Sequence, residues 1–314
     1  MNSSREKGPP ELFNSTWNPG EWVVVRQMIS DIDLLFERRH ISYFICYGTF
    51  LGAVRHQGVI PWDDDIDFGI FSDDELRLKT LEPELNELGY SLHEWFYSKQ
   101  EGAPVCYKIS ISSIASESSL ASSWPFIDLF VFQPDDTGAI YSDGILNIKK
   151  ADLLPLKRYP YSGFDLPGPA SLKSLETEYG PHFAGICVSN PYNHRFERRR
   201  EASITASMEY IKAHGYNIDV HLEDQFGLER HPVQLNDIRL RILDDRMELV
   251  GSDETRHVIN NAMHLIWQWS TGQHTIEQMI NSICEHYTYP MIEATIDVIE
   301  AIRALYERQL IRIQ

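Results

Sequence analysis

Apolar residues recur at helical spacing between Glu21 and Arg39. Val24, Met28, Ile29, Ile32, Leu35 and Phe36 share one face and charges occupy the other, which predicts an amphipathic helix. The short apolar run "SYFICYG" predicts a strand ending at Gly48, and "TFLGAVRH" a helix opened by Thr49, a residue of N-cap type. "DIDFGIF" predicts a second strand; "SDDELRLKTLEPELNELG" then reads as one helix, capped by Ser72 or Asp73 and ended by Gly89. "VCYKISIS" and "PFIDLFVF" predict two further strands, the second apolar except for Asp128. The Pro, Gly and Asp turns of "LLPLKRYPYSGFDLPGPASLKSLETEYG" predict loops around a short helix, so the first unit is α/β in character.

From about Glu197 to Gln234 the chain is charged and His-rich with weak periodicity, which predicts an extended helix and a linker. The pattern then changes. "DIRLRIL", "MELVG" and "HVIN" predict short strands at hairpin spacing, and "NAMHLIWQWSTG", "TIEQMINSICEHY" and "MIEATIDVIEAIRALYERQL" predict three helices. Gly272 closes the first helix, Thr275 opens the second and Pro290 starts the third. The expected organisation is a disordered polar lead-in over 1–19, an α/β domain over 20–195, a helical linker over 196–234 and an α+β domain over 235–314.

The formal net charge of -18, from 46 acids against 28 Lys plus Arg, works against wrapping a nucleic-acid backbone, which needs a basic surface. A small anionic cofactor in a local basic pocket stays compatible with it. Cys46, Cys106, Cys187 and Cys284 lack CxxC spacing, so reduced thiols and a cytoplasmic setting are expected. The start "MNSSREKGPPELF" lacks the apolar core of a signal peptide, and no apolar run reaches the length of a bilayer span.

The candidate chemistry lies in "WDDDIDF", where Asp63, Asp64, Asp65 and Asp67 crowd an otherwise apolar stretch. In an extended strand, residues two apart share a face with Cα atoms about 6.7 Å apart, so Asp65 and Asp67 present two carboxylates to one side. Asp63 joins them if the strand starts early, and Ile66 and Phe68 then point to the core. Like charges on a low-dielectric wall repel and push their pKa values up unless a cation compensates them. Carboxylates with no nearby Cys or His favour Mg²⁺ or Mn²⁺ over zinc. Asp128 converges on the pair if its strand is a neighbour. Upstream, Gly48 and Thr49 lie at a strand-to-helix turn whose N–H groups suit a phosphate. An acid triad beside such a turn is equipment for attack at phosphorus, set against the bland alternative of a solvated acidic turn.

The stretch "YGTFLGAVRHQGVIPWDDDIDFGIF" resembles the signature of the LicD/fukutin-related family, and "PFIDLFVF", "LLPLKRYPYSGFDLPGP" and "EYGPHF" are similar to its later blocks, over about residues 20 to 195. The resemblance implies a nucleotidyltransferase fold with a mixed sheet. It also implies transfer of a phospho-substituent from a CDP-linked donor, or of a nucleotidyl group from a nucleoside triphosphate, to a hydroxyl acceptor. Carried over, it makes Asp65, Asp67 and Asp128 metal ligands, with Asp63 and Asp64 as outer or alternate ligands. Arg55, Lys108 and Lys157 are the cations expected at the donor phosphates, each also readable as a surface charge. His56 reads either as a general base or as a structural histidine at a helix end.

The C-terminal stretch, over about residues 235 to 314, resembles the PqqD family of small winged-helix modules. The resemblance rests on the strand hairpin, "VINNAMHLIWQWSTGQHT" and the closing "LYERQLI". It implies that this unit holds the leader of a ribosomally made precursor peptide, with "RHVIN" near Val258 and the helix from Met291 to Tyr306 as walls. An exposed strand edge is a template for an extended peptide. Dimerisation or plain packing is the other reading of this unit; DNA binding fits poorly, because "MIEATIDVIEAIRALYE" is too acidic to track phosphates. Three functions follow: a transferase acting on a leader-bound peptide, a transferase acting on a glycan or small molecule, and a peptide-binding adaptor with an inactive catalytic half.

Overall fold

The computed structural model describes residues 13, 16–17, 19–96, 105–112, 124–189, 192–194, 198–199, 205–213, 228–243, 246–251, 253–287 and 291–314. The chain divides into two units, residues 1–17 with 28–220 and residues 18–27 with 221–314.

The expected helix forms as α1, Pro19–Arg38, whose residues from Met28 on belong to the first unit, and Met28, Ile29, Ile32, Leu35 and Phe36 are completely buried. The strands β1 (Tyr43–Ile45), β2 (Ile66–Phe71), β3 (Tyr90–Phe96), β4 (Val105–Ile111) and β5 (Phe126–Pro134) make one mixed sheet in the order β1-β2-β5-β4-β3. Only β2 and β5 run parallel along this path; the other neighbours are antiparallel. β6 (Ile140–Ser142) and β7 (Asn147–Lys149) extend it from the end of β5.

Alternation along β2 and β5 sends Ile66, Phe68, Ile70, Ile127 and Leu129 to one face, all fully buried. The opposite face carries Asp67 and Asp128 at the strand starts. Farther along, Phe130 and Phe132 join Phe44, Leu146 and Ile148 in an apolar cluster. Gly69 faces Phe44 across β1 and β2, and a Cβ there would sit 2.5 Å from that ring.

Several expectations change here. The helix after β2 is two helices, α3 (Ser72–Lys79) and α4 (Glu82–Glu87), with Phe71 rather than Ser72 or Asp73 at the N-cap of α3. Pro83 explains the break: it has no N–H, its ring excludes the preceding turn, and it sits in the first turn of α4. Thr49 does not open its helix, because α2 spans Tyr47–His56 and its N-cap is Cys46. β3 had gone unread in sequence, since "YSLHEWF" mixes polar and apolar residues on both faces. The loops expected after Gln133 contain a hairpin, β8 (Lys157–Tyr161) with β9 (Phe164–Gly168), turned by Ser162 and Gly163 at positive φ as a two-residue hairpin loop requires.

Residues 1–12 of the expected lead-in lie outside the described residues, but Phe13 and Trp17 are buried. Phe13 packs edge-on against Trp62 at 5.0 Å, and Trp17 stacks on Trp124 at 4.6 Å. In the expected linker, Thr205–Ser207 pairs with Ile186–Val188 and a short helix spans Met208–Ala213, while residues 214–227 lie outside the described residues. The four cysteines are free, and no helix among the described residues is long and apolar enough to cross a membrane.

The second unit holds a three-stranded antiparallel sheet of Arg239–Ile242, Met247–Val250 and Arg256–Ile259, and helices Asn261–Trp269, Ile276–Tyr287 and Met291–Glu307. Asn260 caps the first helix through Met263 N–H, and Thr275 and Gln278 form a reciprocal capping box on the second at 3.1 and 3.0 Å. Leu249, Ile266, Ile276, Ile280, Val298, Ile302 and Leu305 make its core. The pairing of Pro232–Gln234 with Ile311–Ile313 was absent from the sequence reading, both segments being too short to show a period.

Because the ring of Phe44 is locked in the core, Gly69→Ala should cost about 1–3 kcal/mol of stability by overpacking, read as a lowered urea midpoint with unchanged slope.

Candidate active site

The parallel register of β2 and β5 sets Asp67 directly beside Asp128, and the next strand sets Lys108 beside Asp128. Asp65 precedes β2 and turns back to the same place, so that ligand oxygens of Asp65, Asp67 and Asp128 all lie within 4.8 Å of one another. Asp67, Asp128 and Lys108 are 5%, 4% and 4% exposed, so this is a buried charge cluster, not a solvated turn. Lys108 Nζ meets Asp128 Oδ1 at 2.7 Å and lies 3.4 Å over the Phe126 ring.

Asp67 is held by the start of α2. Its N–H donates to Thr49 Oγ1 at 2.7 Å, and its Oδ2 accepts the Gly48 N–H at 3.1 Å. Cys46 offers no side-chain cap, so the carboxylate from β2 occupies the helix N-terminus, where the dipole favours an anion. Gly48 and Thr49, at the turn expected to suit a phosphate, both bond Asp67; Gly48 also lines the cavity, and a Cβ on it would run into Asp63 Oδ2.

The turn carrying the aspartates is anchored by tryptophans. Trp62 Nε1 donates to Val188 O at 3.0 Å and Trp124 Nε1 to Asp64 O at 2.7 Å. Burial raises the carboxyl pKa values of Asp63, Asp65 and Asp67 above the usual range. Asp65 and Asp64 add to this at Asp63, and Asp65, Asp128 and Asp63 at Asp67. Three oxygen donors that gain from a positive charge fit a hard divalent ion, so the residues present suit Mg²⁺ or Mn²⁺.

The sequence reading found no histidine near these acids; folding brings one from 130 positions away. His194 Nδ1 lies 2.9 Å from Asp64 Oδ1, and its backbone N–H donates to Asp64 Oδ2 at 3.0 Å. Its Nε2 lies 3.3 Å from Asp65 Oδ2. Burial alone would lower the imidazole pKa, but Asp65 and Asp64 outweigh it and carry it up to about 9. No spacing rule in the sequence links "YNH" to "DDDID", so nothing local marked it.

A cavity of about 530 Å³ opens beside the cluster, lined by Asp63, Asp65 and Asp67, Gly48, Arg55 and His194 among others. Tyr47, Trp62, Glu178 and Tyr179, which sequence reasoning did not select, also line it. Tyr47 donates its phenol to buried Asp143 at 2.5 Å, and Glu178 and Tyr179 come from "EYGPHF". Arg55 Nη1 donates to Phe183 O at 3.3 Å and Ile186 O at 3.0 Å, so this guanidinium also ties down the cavity wall. Lys108 reaches the acids through Asp128. Lys157 stands exposed on β8 and is not among the lining residues.

His56 accepts from Arg55 Nε at 3.0 Å and packs edge-on against Trp62 at 5.6 Å. Burial, with Arg55 next, lowers its pKa to about 3. It packs behind the acidic turn and is not among the residues that line the cavity.

Residues 40–171 match the family model of the LicD/FKTN/FKRP nucleotidyltransferase domain. An uncharacterised protein of Rickettsia prowazekii is 30% identical over 161 residues, 49% of this chain and 53% of its own length. Human ribitol 5-phosphate transferase FKRP is 26% identical over 190 residues, 58% of this chain and 36% of its own. Lipopolysaccharide cholinephosphotransferase LicD of Haemophilus influenzae is 54% identical over 43 residues, 14% of this chain and 16% of its own. The chain spans about half or less of the length of these curated relatives.

Thr49→Val should strand the buried Asp67 N–H and lower unfolding free energy by about 1–3 kcal/mol in urea titrations, with the sheet unchanged by circular dichroism. His56 supplies a pH signature. Its folded value of about 3 lies below the 6.5 of an unperturbed histidine, so the stability it contributes is whole above pH 6.5 and is lost as pH falls toward 3. His56→Phe should therefore flatten the loss of urea midpoint between pH 6.5 and pH 4.

Proposed function

We propose that this chain, whose residues 40–171 carry the nucleotidyltransferase domain, is a transferase. In this reading it moves a phospho-substituent, or a nucleotidyl group, from a CDP-linked or nucleoside triphosphate donor to a hydroxyl of a ribosomally made precursor peptide. The observation that carries the reading is the convergence of Asp65, Asp67 and Asp128 within 4.8 Å beside a cavity that also presents Arg55. Two of the relatives, a cholinephosphotransferase and a ribitol 5-phosphate transferase by name, support transfer of a phosphate-linked group.

In this reading Asp65, Asp67 and Asp128 hold Mg²⁺ or Mn²⁺, which when bound neutralises a diphosphate and supports departure of the leaving group. The protein's part is positional. Thr49 and Gly48 fix Asp67, Lys108 fixes Asp128, and Trp62 braces the turn that carries Asp65. Arg55 offers its charge to donor phosphate oxygens from the cavity wall, and Tyr47 and Tyr179 narrow the water-accessible space around them.

Residues 235–314 are assigned the leader of the peptide, on the PqqD-like reading of that stretch. Arg256–Ile259 pairs on one side only among the described residues, and Val258 on it is 58% exposed, which supports strand addition by an extended segment. Gripping the leader raises the local concentration of the core segment to about millimolar levels, so the active site needs little affinity of its own for the acceptor hydroxyl. The reading goes with a cytoplasmic protein, since its cysteines are free thiols. A glycan acceptor is the competing reading, favoured by the lipopolysaccharide in one relative's name.

Co-expression with a short peptide encoded beside the gene, followed by mass spectrometry, should show an adduct on a Ser, Thr or Tyr of that peptide. Asp65→Asn or Asp67→Asn should lower transfer at least about a hundredfold, as loss of an electrostatic group at a reacting centre does, and leave peptide affinity alone. An unmodified peptide together with a modified glycan or small molecule would replace this reading by the competing one.

A further inference from the structure

We infer that His194 is a nitrogen ligand, through Nε2, of the same divalent ion that Asp65 holds, with Asp64 as the carboxylate that fixes its ring. The inference rests on the reading of Asp65, Asp67 and Asp128 as an ion site and adds to it a residue from outside the matched family domain, which stops at residue 171.

The geometry has three parts. Asp64, 2% exposed, takes the ring at Nδ1 with one oxygen and the backbone N–H of His194 with the other, so a single buried carboxylate registers both the position and the rotation of the imidazole. The ring also stands edge-on to Phe126 at 6.1 Å, which limits its tilt. With Nδ1 committed, Nε2 is the nitrogen turned to Asp65, at 3.3 Å from Oδ2. Two ligands on one octahedral ion with bonds of about 2.1 Å are about 3 Å apart, so this separation matches an edge of a coordination polyhedron.

Asp65 is the member common to the two clusters, Asp65 with Asp67 and Asp128 and Asp64 with Asp65 and His194, whose ligand atoms each lie within 4.8 Å of one another. A carboxylate that orients a histidine whose far nitrogen meets an ion is the usual arrangement for an imidazole ligand. Nε2 already pairs with Asp65, and the ion would take the place of the proton between them, in the cavity that Asp63, Asp65 and Asp67 line together with His194. Its chemical consequence is a change in ion preference, because one imidazole among carboxylates moves the site from Mg²⁺ toward Mn²⁺ and later metals.

The test uses the full chain loaded with Mn²⁺ and pulsed electron paramagnetic resonance, which detects nitrogen bound to the ion independently of turnover. Wild-type protein should show ¹⁴N modulation that converts to a ¹⁵N pattern when its histidines alone are ¹⁵N-labelled, a result that needs no substitution and so survives a variant that fails to fold. His194→Gln should still bind Mn²⁺, about tenfold or more weakly, and lose the modulation; Asp64→Asn should weaken binding about 10- to 100-fold. Mn²⁺ bound without nitrogen modulation, or modulation retained in His194→Gln, would overturn the inference and leave the carboxylate site standing. Failure of wild-type protein to bind Mn²⁺ or Mg²⁺ at all would remove both.

Discussion

Repulsion among buried carboxylates governs this fold. Two unit charges 4.8 Å apart repel by about 3 kcal/mol at an effective dielectric near 20, several times what an exposed ion pair contributes. The parallel register of Asp67 with Asp128 enforces such a pair, and Asp65 adds a third charge. Everything around them answers this constraint. Lys108 neutralises Asp128, the N-terminus of α2 neutralises Asp67, and His194 lies between Asp64 and Asp65. Even with His194 protonated, two cations against five buried or half-buried aspartates leave an excess of negative charge, which is the physical case for a divalent ion.

The same constraint separates structural from chemical residues within one continuous motif. Gly52 admits the backbone carbonyl of Gly58, since a Cβ there would run into it, and Gly48 admits Asp63. Thr49 satisfies Asp67 N–H, Trp62 braces the acidic turn, and His56 packs on Trp62. Most of the motif therefore builds the cradle that holds the aspartates. Placing acids at the strand starts and Phe130 and Phe132 farther along the same face lets one surface of a sheet serve as both cavity wall and core.

The second unit has its own core, and the cap signals of its first two helices agree with the bonds they form. Its sheet leaves Arg256–Ile259 with one paired side among the described residues. Natural proteins usually blunt such an edge, and here Arg256 supplies the charge while Val258 stays exposed. That combination tolerates solvent and leaves the second side of this strand without a strand partner among the described residues.

The sequence by itself determined the elements with strong periodicity or explicit caps: α1, the strands β1, β2, β4 and β5, and the three C-terminal helices. It also determined that Asp67 and Asp128 belong to apolar strands, with Asp65 next to one, where charge needs a partner. Side-chain alternation is local, so these were legible without a partner strand. The tertiary structure alone decided which strands are neighbours, and hence that Asp67 meets Asp128 and Lys108. It alone joined Gly48 and Thr49 to Asp67, left Lys157 off the cavity lining, and delivered His194 to Asp64 from 130 positions away. Register and long-range approach depend on how whole elements pack, and no residue's immediate neighbours along the chain encode that.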